Sequence, residues 1–220
     1  MKFLIPLLLI FTSSCDAQSF SIPKIQPQTD RTPRTVEYRD QVHLTLLSGS
    51  VRGHTEVTGK MPENIKDEKG KPLLSWRVVI LRYGTDEDLA LYKKFKLGEP
   101  WDSKHNKEVA KQIPEFYVDP AGTEFTPYLG VTGKTAAFAD KPRPMKNGGT
   151  KNHAAVVTVD TNQVKVHWTE PKDVPLEDAK KGDVLRWYNN LTNYIGAEGA
   201  NARWIKGSKY AFDKAVFEFE

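Results

Sequence analysis

A single cysteine, Cys15, occurs among the 220 residues of the chain, so no intramolecular disulfide can hold the fold together. A stable structure must therefore depend on a hydrophobic core. The composition can supply one, because 39% of the residues are hydrophobic and 27% are charged, unlike a disordered chain. The length suits one domain with a tail. No run of about 20 apolar residues occurs, so we expect no membrane-spanning helix in the mature protein.

The N-terminus has the layout of a bacterial export signal: Lys2, an apolar run from Phe3 to Phe11, and small residues before Cys15. A lipoprotein signal places its lipid-bearing thiol at this point. We therefore predict a signal peptide at residues 1–14 and a lipidated Cys15, which gives an exported envelope protein anchored to a membrane without spanning it. Thr12 departs from the aliphatic residue usual three positions before such a cysteine.

Two alternatives stay open for this segment. A signal cleaved after Ala17 would leave a soluble periplasmic or secreted protein, and Cys15 could be a chance cysteine within an export signal. The polar residues 15–35, with three prolines, predict an extended tether. Residues 36–220 then form a single domain.

The charges exclude one class of partner. The formal net charge is +4, from 32 Lys and Arg against 28 Asp and Glu. Basic residues are interspersed with acidic ones, and no dense basic stripe indicates nucleic-acid binding. We interpret the lysines as a solvated surface and expect no cofactor.

Three helices are predicted from caps and apolar spacing. The first covers about residues 38–58, where Val42, Leu46, Leu47 and Val51 form a stripe. Thr85 or Asp86 can cap the second, which runs to Phe95, and Ser103 can cap the third, which runs to about Gln112.

Strands are predicted from short β-branched and aromatic runs. The run Trp76–Leu81 favours a buried strand, although its length also allows a short helix. Further strands are expected at these runs: Tyr128–Thr132, Ala154–Val159 and Val164–Trp168, the last two joined by a turn at residues 160–162, and Ala202–Ile205 with Ser208–Phe212 in a hairpin around Lys206-Gly207. The elements together predict an α+β fold with a mostly antiparallel sheet.

Five stretches carry a resemblance to a known family: Gly70–Val78, Leu91–Lys107, Thr126–Gly133, Gly149–Asn152 and Val166–Val174. They are similar to the signature of a large paralogous family of unknown function in planctomycete bacteria. Its members usually have a type IV prepilin-like N-terminus and are sometimes catalogued as bacterial extracellular solute-binding proteins. The resemblance covers about residues 61–210. It implies a pseudopilin-like fold in which an N-terminal helix packs on a mostly antiparallel β-sheet.

The chain departs from the family pattern at both ends. Family members end in a hairpin with His, nine residues and Asp-Gly-Ser, whereas this chain has Gly196 for the histidine and Lys206 for the aspartate. At the front, an export signal with Cys15 replaces the prepilin cleavage site and its apolar helix. The resemblance therefore implies a pseudopilin-like head on a lipid anchor.

Catalytic and ligand motifs are weak in this sequence. Tyr128–Thr135 ends like a phosphate-binding loop but lacks the first glycine, so we interpret it as a strand and turn. The five histidines lack metal-ligand spacing. Asp102, Ser103 and His105 could form a base and nucleophile, yet neighbours on one helical turn are better explained by capping.

Six residues form the candidate interaction surface: Trp101, Asp102, His105, Trp187, Tyr188 and Tyr194. The last three are the aromatic cluster that the family resemblance explains least. The sequence thus predicts a non-enzymatic interaction module whose partners are a membrane, through the lipid, and an envelope or secretion-system protein. The alternative is an extracytoplasmic protein that binds a small ligand or a carbohydrate.

Overall fold

A computed structural model describes residues 35–138 and 154–186, together with the backbone of two later strands, Leu191–Gly196 and Ala202–Lys206. The predicted export signal and tether, with Cys15, lie outside the described residues. So do Trp187 and Tyr188, and the second half of the predicted C-terminal hairpin. In the described part of the chain, no helix has the length and apolar character needed to cross a membrane.

Helix α1, Val36–Thr58, confirms the first predicted helix. It begins where the Thr35 side chain accepts a hydrogen bond from the Tyr38 N–H, and it ends at Gly59, whose φ of 70° is left-handed. Its fully buried apolar side chains are Leu44, Leu47 and Val51. The predicted apolar stripe is wrong for Leu46, which is 49% exposed.

Two small strands, β1 (Ile65–Lys66) and β2 (Pro72–Leu74), pair antiparallel and precede helix α2 (Trp76–Val79). A 3-10 turn, Ile80–Tyr83, continues α2. The predicted strand at Trp76–Leu81 is therefore wrong, and the short-helix alternative describes it. Four of its apolar residues are fully buried, so the run shows no periodicity that separates a helix from a strand.

The other two predicted helices are confirmed and are shorter than expected. Helix α3, Asp86–Tyr92, begins at a capping box between Thr85 and Asp88. Helix α4, Lys104–Ala110, begins at Ser103, whose side chain accepts from the Asn106 N–H. A second 3-10 turn, Glu115–Tyr117, follows α4 and packs against α1.

The main sheet has five strands. They are β3 (Tyr128–Thr132), β4 (Ala154–Thr158), β5 (Val174–Pro175), β6 (Leu191–Gly196) and β7 (Ala202–Lys206), in the spatial order β5-β3-β4-β6-β7. All neighbours are antiparallel except β3 and β5. A fifth helix, α5 (Leu176–Lys181), follows β5. This arrangement confirms the α+β class and the mostly antiparallel sheet.

Two details of the predicted sheet differ. Val164–Trp168 is not a strand, because its backbone bonds to other partners: the Val166 carbonyl accepts from Thr126 N–H and the Trp168 carbonyl accepts from Arg77 Nε. Its preceding turn at Asp160 is confirmed by the Val164 N–H, which donates to the Asp160 carbonyl. Strand β7 is confirmed, but its described partner is β6, which the sequence did not predict.

The sheet separates two clusters of buried side chains. One, on the side of α1, includes Trp76, Tyr117 and Trp168. The other, on the side of α5, includes Leu129 and Val157. Strand β3 is buried over nearly its whole length, and it confirms the predicted strand at Tyr128–Thr132.

Candidate functional site

The predicted surface block around α4 contains no assembled catalytic group. His105 Nε2 lies 2.9 Å from the Lys94 carbonyl oxygen, to which it donates. Ser103 Oγ accepts from Asn106 N–H and donates to the Glu99 carboxylate at 2.9 Å, while Asp102 is exposed. Because Ser103 Oγ accepts from the Asn106 N–H at the start of α4, the predicted cap at Ser103 is confirmed.

The side chain that organises this block is Asn106, which sequence reasoning missed. It is fully buried. Its amide nitrogen lies 3.1 Å from each of three carbonyl oxygens, and its amide oxygen accepts from Lys96 N–H at 3.0 Å. The three carbonyls belong to Lys96, Glu99 and Pro100. A buried amide with every bond satisfied fixes the loop before α4.

Of the aromatic members of the predicted surface, Trp101 is the one whose side chain the structure describes. Trp101 stacks on the His167 ring, with centroids 5.6 Å apart and planes at 26°. Tyr194 lies in β6, where its backbone is opposite Val157 and Arg203. Trp187 and Tyr188 lie outside the described residues, so a surface shared by these aromatics stays a prediction.

A buried ion pair joins two of the stretches that carry the family resemblance. Arg77 Nη1 lies 2.7 Å from Asp173 Oδ1, and both side chains are at most 2% exposed. The guanidinium also donates to the carbonyls of Glu170 and Lys172 at 2.6 and 3.0 Å. The Asp173 carboxylate accepts from Gly130 N–H and from the Trp76 indole. The charged atoms of Arg77 and Asp173 therefore bond to groups inside the protein and stabilise the fold.

A second buried network ties α1 to the sheet. Tyr128 donates to Asp40 Oδ1 at 2.7 Å, and Arg186 Nη1 lies 3.2 Å from Asp40 Oδ2 and 2.9 Å from Asp119 Oδ1. Burial by itself raises the pKa of Asp119, but hydrogen bonds from Arg186, Thr161 and the Thr123 hydroxyl outweigh it and hold that pKa below its usual value. The side chains of this second network therefore also stabilise the packing of α1 on the sheet.

The accessible concave surface lies between α1, α3 and the segment that follows α4. We name it the α1–α3 groove, and its volume is about 590 Å³. Leu91 and Phe116 form buried parts of its floor, while Leu46 and Ile113 expose 49% and 39% of their surfaces to it and to solvent. Gly49 of α1 also lines it, and nothing lies within 4 Å of where its Cβ would be. The groove is thus apolar and open.

The charged rim of the α1–α3 groove is acidic. Of the described residues that line it, Glu87, Asp88 and Glu115 carry formal charge, and none is basic. A hydrogen bond from its own backbone N–H, helped by the Thr85 hydroxyl, lowers the pKa of Glu87. The Asp88 carboxylate is fixed by Thr85, whose N–H and hydroxyl lie 2.9 and 3.1 Å from Oδ2. The rim is therefore negative at neutral pH.

A smaller hollow of about 170 Å³ extends the groove along α1. Tyr38, Val42 and Val118 line it, and Glu115 lines both hollows. Tyr38 and Val118 are 49% and 38% exposed. The outer face of α1 from Tyr38 to Gly49 is thereby accessible over about 16 Å, at 1.5 Å per residue.

Sequence reasoning missed this groove because it assigned Val42 and Leu46 to the buried stripe of α1. The available signal was the polar residues of α1 that are buried: Asp40, His54 and His43, the last of which also lines the smaller hollow. Desolvation lowers the pKa of both histidines. The Nδ1 atoms of both rings have no hydrogen-bond partner among the described residues, which is consistent with neutral imidazoles in the core.

Among the residues that the structure describes, no group of three or more His, Cys, Asp or Glu side chains is arranged to hold a metal ion. Comparison with known proteins identified no relative: no family model matches the chain, and neither the curated proteins nor the solved structures give a significant match.

Proposed function

We propose that this protein is a non-enzymatic interaction module that binds a segment of a partner protein in the α1–α3 groove. The observation that carries the proposal is the pair of exposed side chains, Leu46 and Ile113, beside the buried floor residues Leu91 and Phe116. Exposed apolar residues grouped around a concavity mark interaction sites more often than scattered ones do. The described polar clusters, in contrast, are occupied by structural bonds.

Two exposed positions on α1 allow a matched test of this proposal. Leu46 lies in the groove and is 49% exposed, whereas Val57 lies outside the groove lining and is 73% exposed. The full chain would be purified from solubilised envelopes as wild type, Leu46→Glu and Val57→Glu. We expect a partner that is retained by wild type and by Val57→Glu, is lost with Leu46→Glu, and binds again when both purified proteins are mixed. Equal retention by all three proteins would refute the proposal.

The proposal places the module in the cell envelope, on a lipid attached to Cys15. Support comes from the sequence, where a short apolar run and small residues precede the single cysteine. Cys15→Ala should move the protein from the membrane to the soluble fraction and abolish palmitate labelling, whereas Ser14→Ala should do neither. Membrane retention of unlabelled Cys15→Ala would contradict lipid anchoring.

The pseudopilin-like fold and the planctomycete family are part of the same proposal. They are supported by the sequence stretches of the resemblance and by the long helix α1 beside an antiparallel sheet. Arg77 and Asp173, which lie in two of these stretches, meet in the core, so the stretches have a structural reason to occur together. An experimental structure in which α1 does not pack on the sheet would contradict this part.

A second candidate function is the binding of a small ligand or a carbohydrate outside the cytoplasm. The groove volume of about 590 Å³ favours it, because ligand sites commonly measure roughly 300–1,000 Å³. Its wide opening and its few polar groups suit a peptide better than a sugar. A screen of neutral mono- and disaccharides by thermal shift would support this candidate only if the stabilisation disappeared with Leu46→Glu.

A further inference from the structure

The charge of the groove indicates which partner segment it can hold. Its rim carries three carboxylates, of Glu87, Asp88 and Glu115, and no basic residue among the described lining. The N-terminus of α3 offsets about half a unit charge. Two or more negative charges therefore face the groove beside an apolar floor.

Three basic side chains outside the groove lining engage other groups. Lys94 Nζ donates to Oε1 of the lining residue Gln112 at 2.8 Å. The Arg82 guanidinium lies over the rings of Tyr83 and Tyr92, 5.8 and 5.5 Å from their centroids. Lys111 pairs with Glu108 at 2.6 Å outside the groove. The acidic rim is thus not neutralised by the lining itself, and a cation on a bound segment would complement it.

The position of the Asp88 carboxylate is fixed by its contacts with neighbouring backbone. The Asp88 side chain packs so closely against Gly84 that a Cβ at this glycine would clash with the carboxylate. With Thr85 donating from the other side, Asp88 is held at the rim of the groove and is only 8% exposed. A fixed charge in a partly desolvated position discriminates between partners more strongly than a mobile surface charge.

The charged residues that line the groove and the smaller hollow are distributed unevenly along the length of α1. Glu87 and Asp88 lie at the α3 end, while the smaller hollow contains Arg39 together with Glu115. The basic part of a bound segment would lie at the α3 end, and its apolar part would extend toward Tyr38 and Val118. The accessible length of about 16 Å holds roughly five extended residues at about 3.3 Å each.

We propose that the partner presents a segment of about five residues in which one or two lysines or arginines stand next to large apolar side chains. This inference depends on the proposed function, since it specifies the partner chemistry of the same groove. It predicts that affinity follows the charge of the segment even when its apolar residues are kept constant.

The test uses the full chain in detergent and three series of fluorescent hexapeptides with the same Leu and Phe residues and with Lys, Gln or Glu at the remaining positions. We expect the Lys series to bind about tenfold more tightly than the Gln series in low salt, and the Glu series to bind least. The double variant Glu87→Gln, Glu115→Gln should reduce the Lys preference to about threefold or less. Glu108→Gln, an exposed change outside the groove lining, should leave it unchanged.

The outcomes separate the two proposals. Binding of all three series with equal affinity, sensitive to Leu46→Glu, would overturn the charge inference and keep the groove as an interaction site. Absence of binding by every series would overturn the inference, and the co-purification test would still decide the function. The purified protein could instead associate with itself, and Leu46→Glu could abolish that association. This result would assign the groove to a second copy of the chain and overturn the proposed basic, apolar partner segment. Thermal melting of each variant ensures that the folded protein is compared.

Discussion

Asp173→Asn is the substitution that most directly tests the buried ion pair. It preserves the shape of the side chain and removes one charge. The Asp173 carboxylate accepts from Arg77 Nη1 at 2.7 Å, from Gly130 N–H at 2.8 Å and from the Trp76 indole at 3.1 Å. All three donors bond to Oδ1, which an asparagine can keep, and its NH₂ group then takes the place of Oδ2, 3.2 Å from the Trp76 indole nitrogen. The substitution therefore removes the counterion of Arg77 and sets two donors against each other at Trp76.

The structure sets the size of this effect. Both side chains of the pair are at most 2% exposed, so water cannot replace the lost carboxylate. Breaking a buried ion pair on one side typically costs about 3–5 kcal/mol of unfolding free energy. For a domain of this size, about 2–4 °C of Tm corresponds to each kcal/mol. We expect Asp173→Asn to lower Tm by roughly 6–20 °C.

The assay is urea unfolding followed by tryptophan fluorescence, with calorimetry for Tm. Glu108→Gln is the matched control, because its pair with Lys111 is more than 70% exposed on both sides. An exposed pair contributes little to stability, so we expect a Tm within about 2 °C of wild type.

A double-mutant cycle distinguishes charge compensation from simple loss of packing. In the Arg77→Met background no cation is paired with Asp173, so Asp173→Asn should cost less than it does in wild type. Additive effects in the cycle, or a single-variant Tm change as small as that of Glu108→Gln, would refute the reasoning.

Two further predictions follow from buried polar groups. Desolvation lowers the pKa of His43, His54 and His167, so below about pH 6.5 the unfolded chain binds protons that the folded protein does not. Stability should therefore be complete well above about pH 6.5 and fall as the pH drops below it. A urea midpoint that is the same at about pH 5.5 and about pH 7.5 would contradict this prediction. Asn106→Ala removes four hydrogen bonds inside the protein and should lower the unfolding free energy by about 2–4 kcal/mol. The Lys96 backbone amide should then lose its protection in hydrogen exchange. Unchanged protection would contradict the structural role of the Asn106 side chain.

Local signals predicted the short elements well. Thr85 and Ser103 were recognised as caps because each hydrogen bond involves residues only three positions apart. The strands at Tyr128 and Ala154 were recognised from their β-branched and aromatic content. The predicted strand at Trp76–Leu81 is wrong because the run is buried on every side. Such a run lacks the hydrophobic periodicity that separates a strand from a helix.

The groove and the networks could not be predicted because they depend on distant residues. Asp40 is buried in α1 because Arg186 reaches it across 146 positions of sequence. A prediction based on apolar residues alone therefore assigns the wrong face of α1 to the core and predicts that Leu46 is buried. Around Trp101 and His105 the sequence likewise could not show that His105 Nε2 bonds to the Lys94 carbonyl and that Trp101 stacks on His167.

We expect a partner to bind the protein in the α1–α3 groove. Photo-crosslinking in intact envelopes tests it most directly, with the crosslinking residue placed at Leu46 or Ile113 in the groove, at Val57 elsewhere on α1, or at Asp102 beside α4. We expect the same crosslinked product from both groove positions and none from the other two. A product formed only from Val57 or Asp102, or none from either groove position, would contradict it.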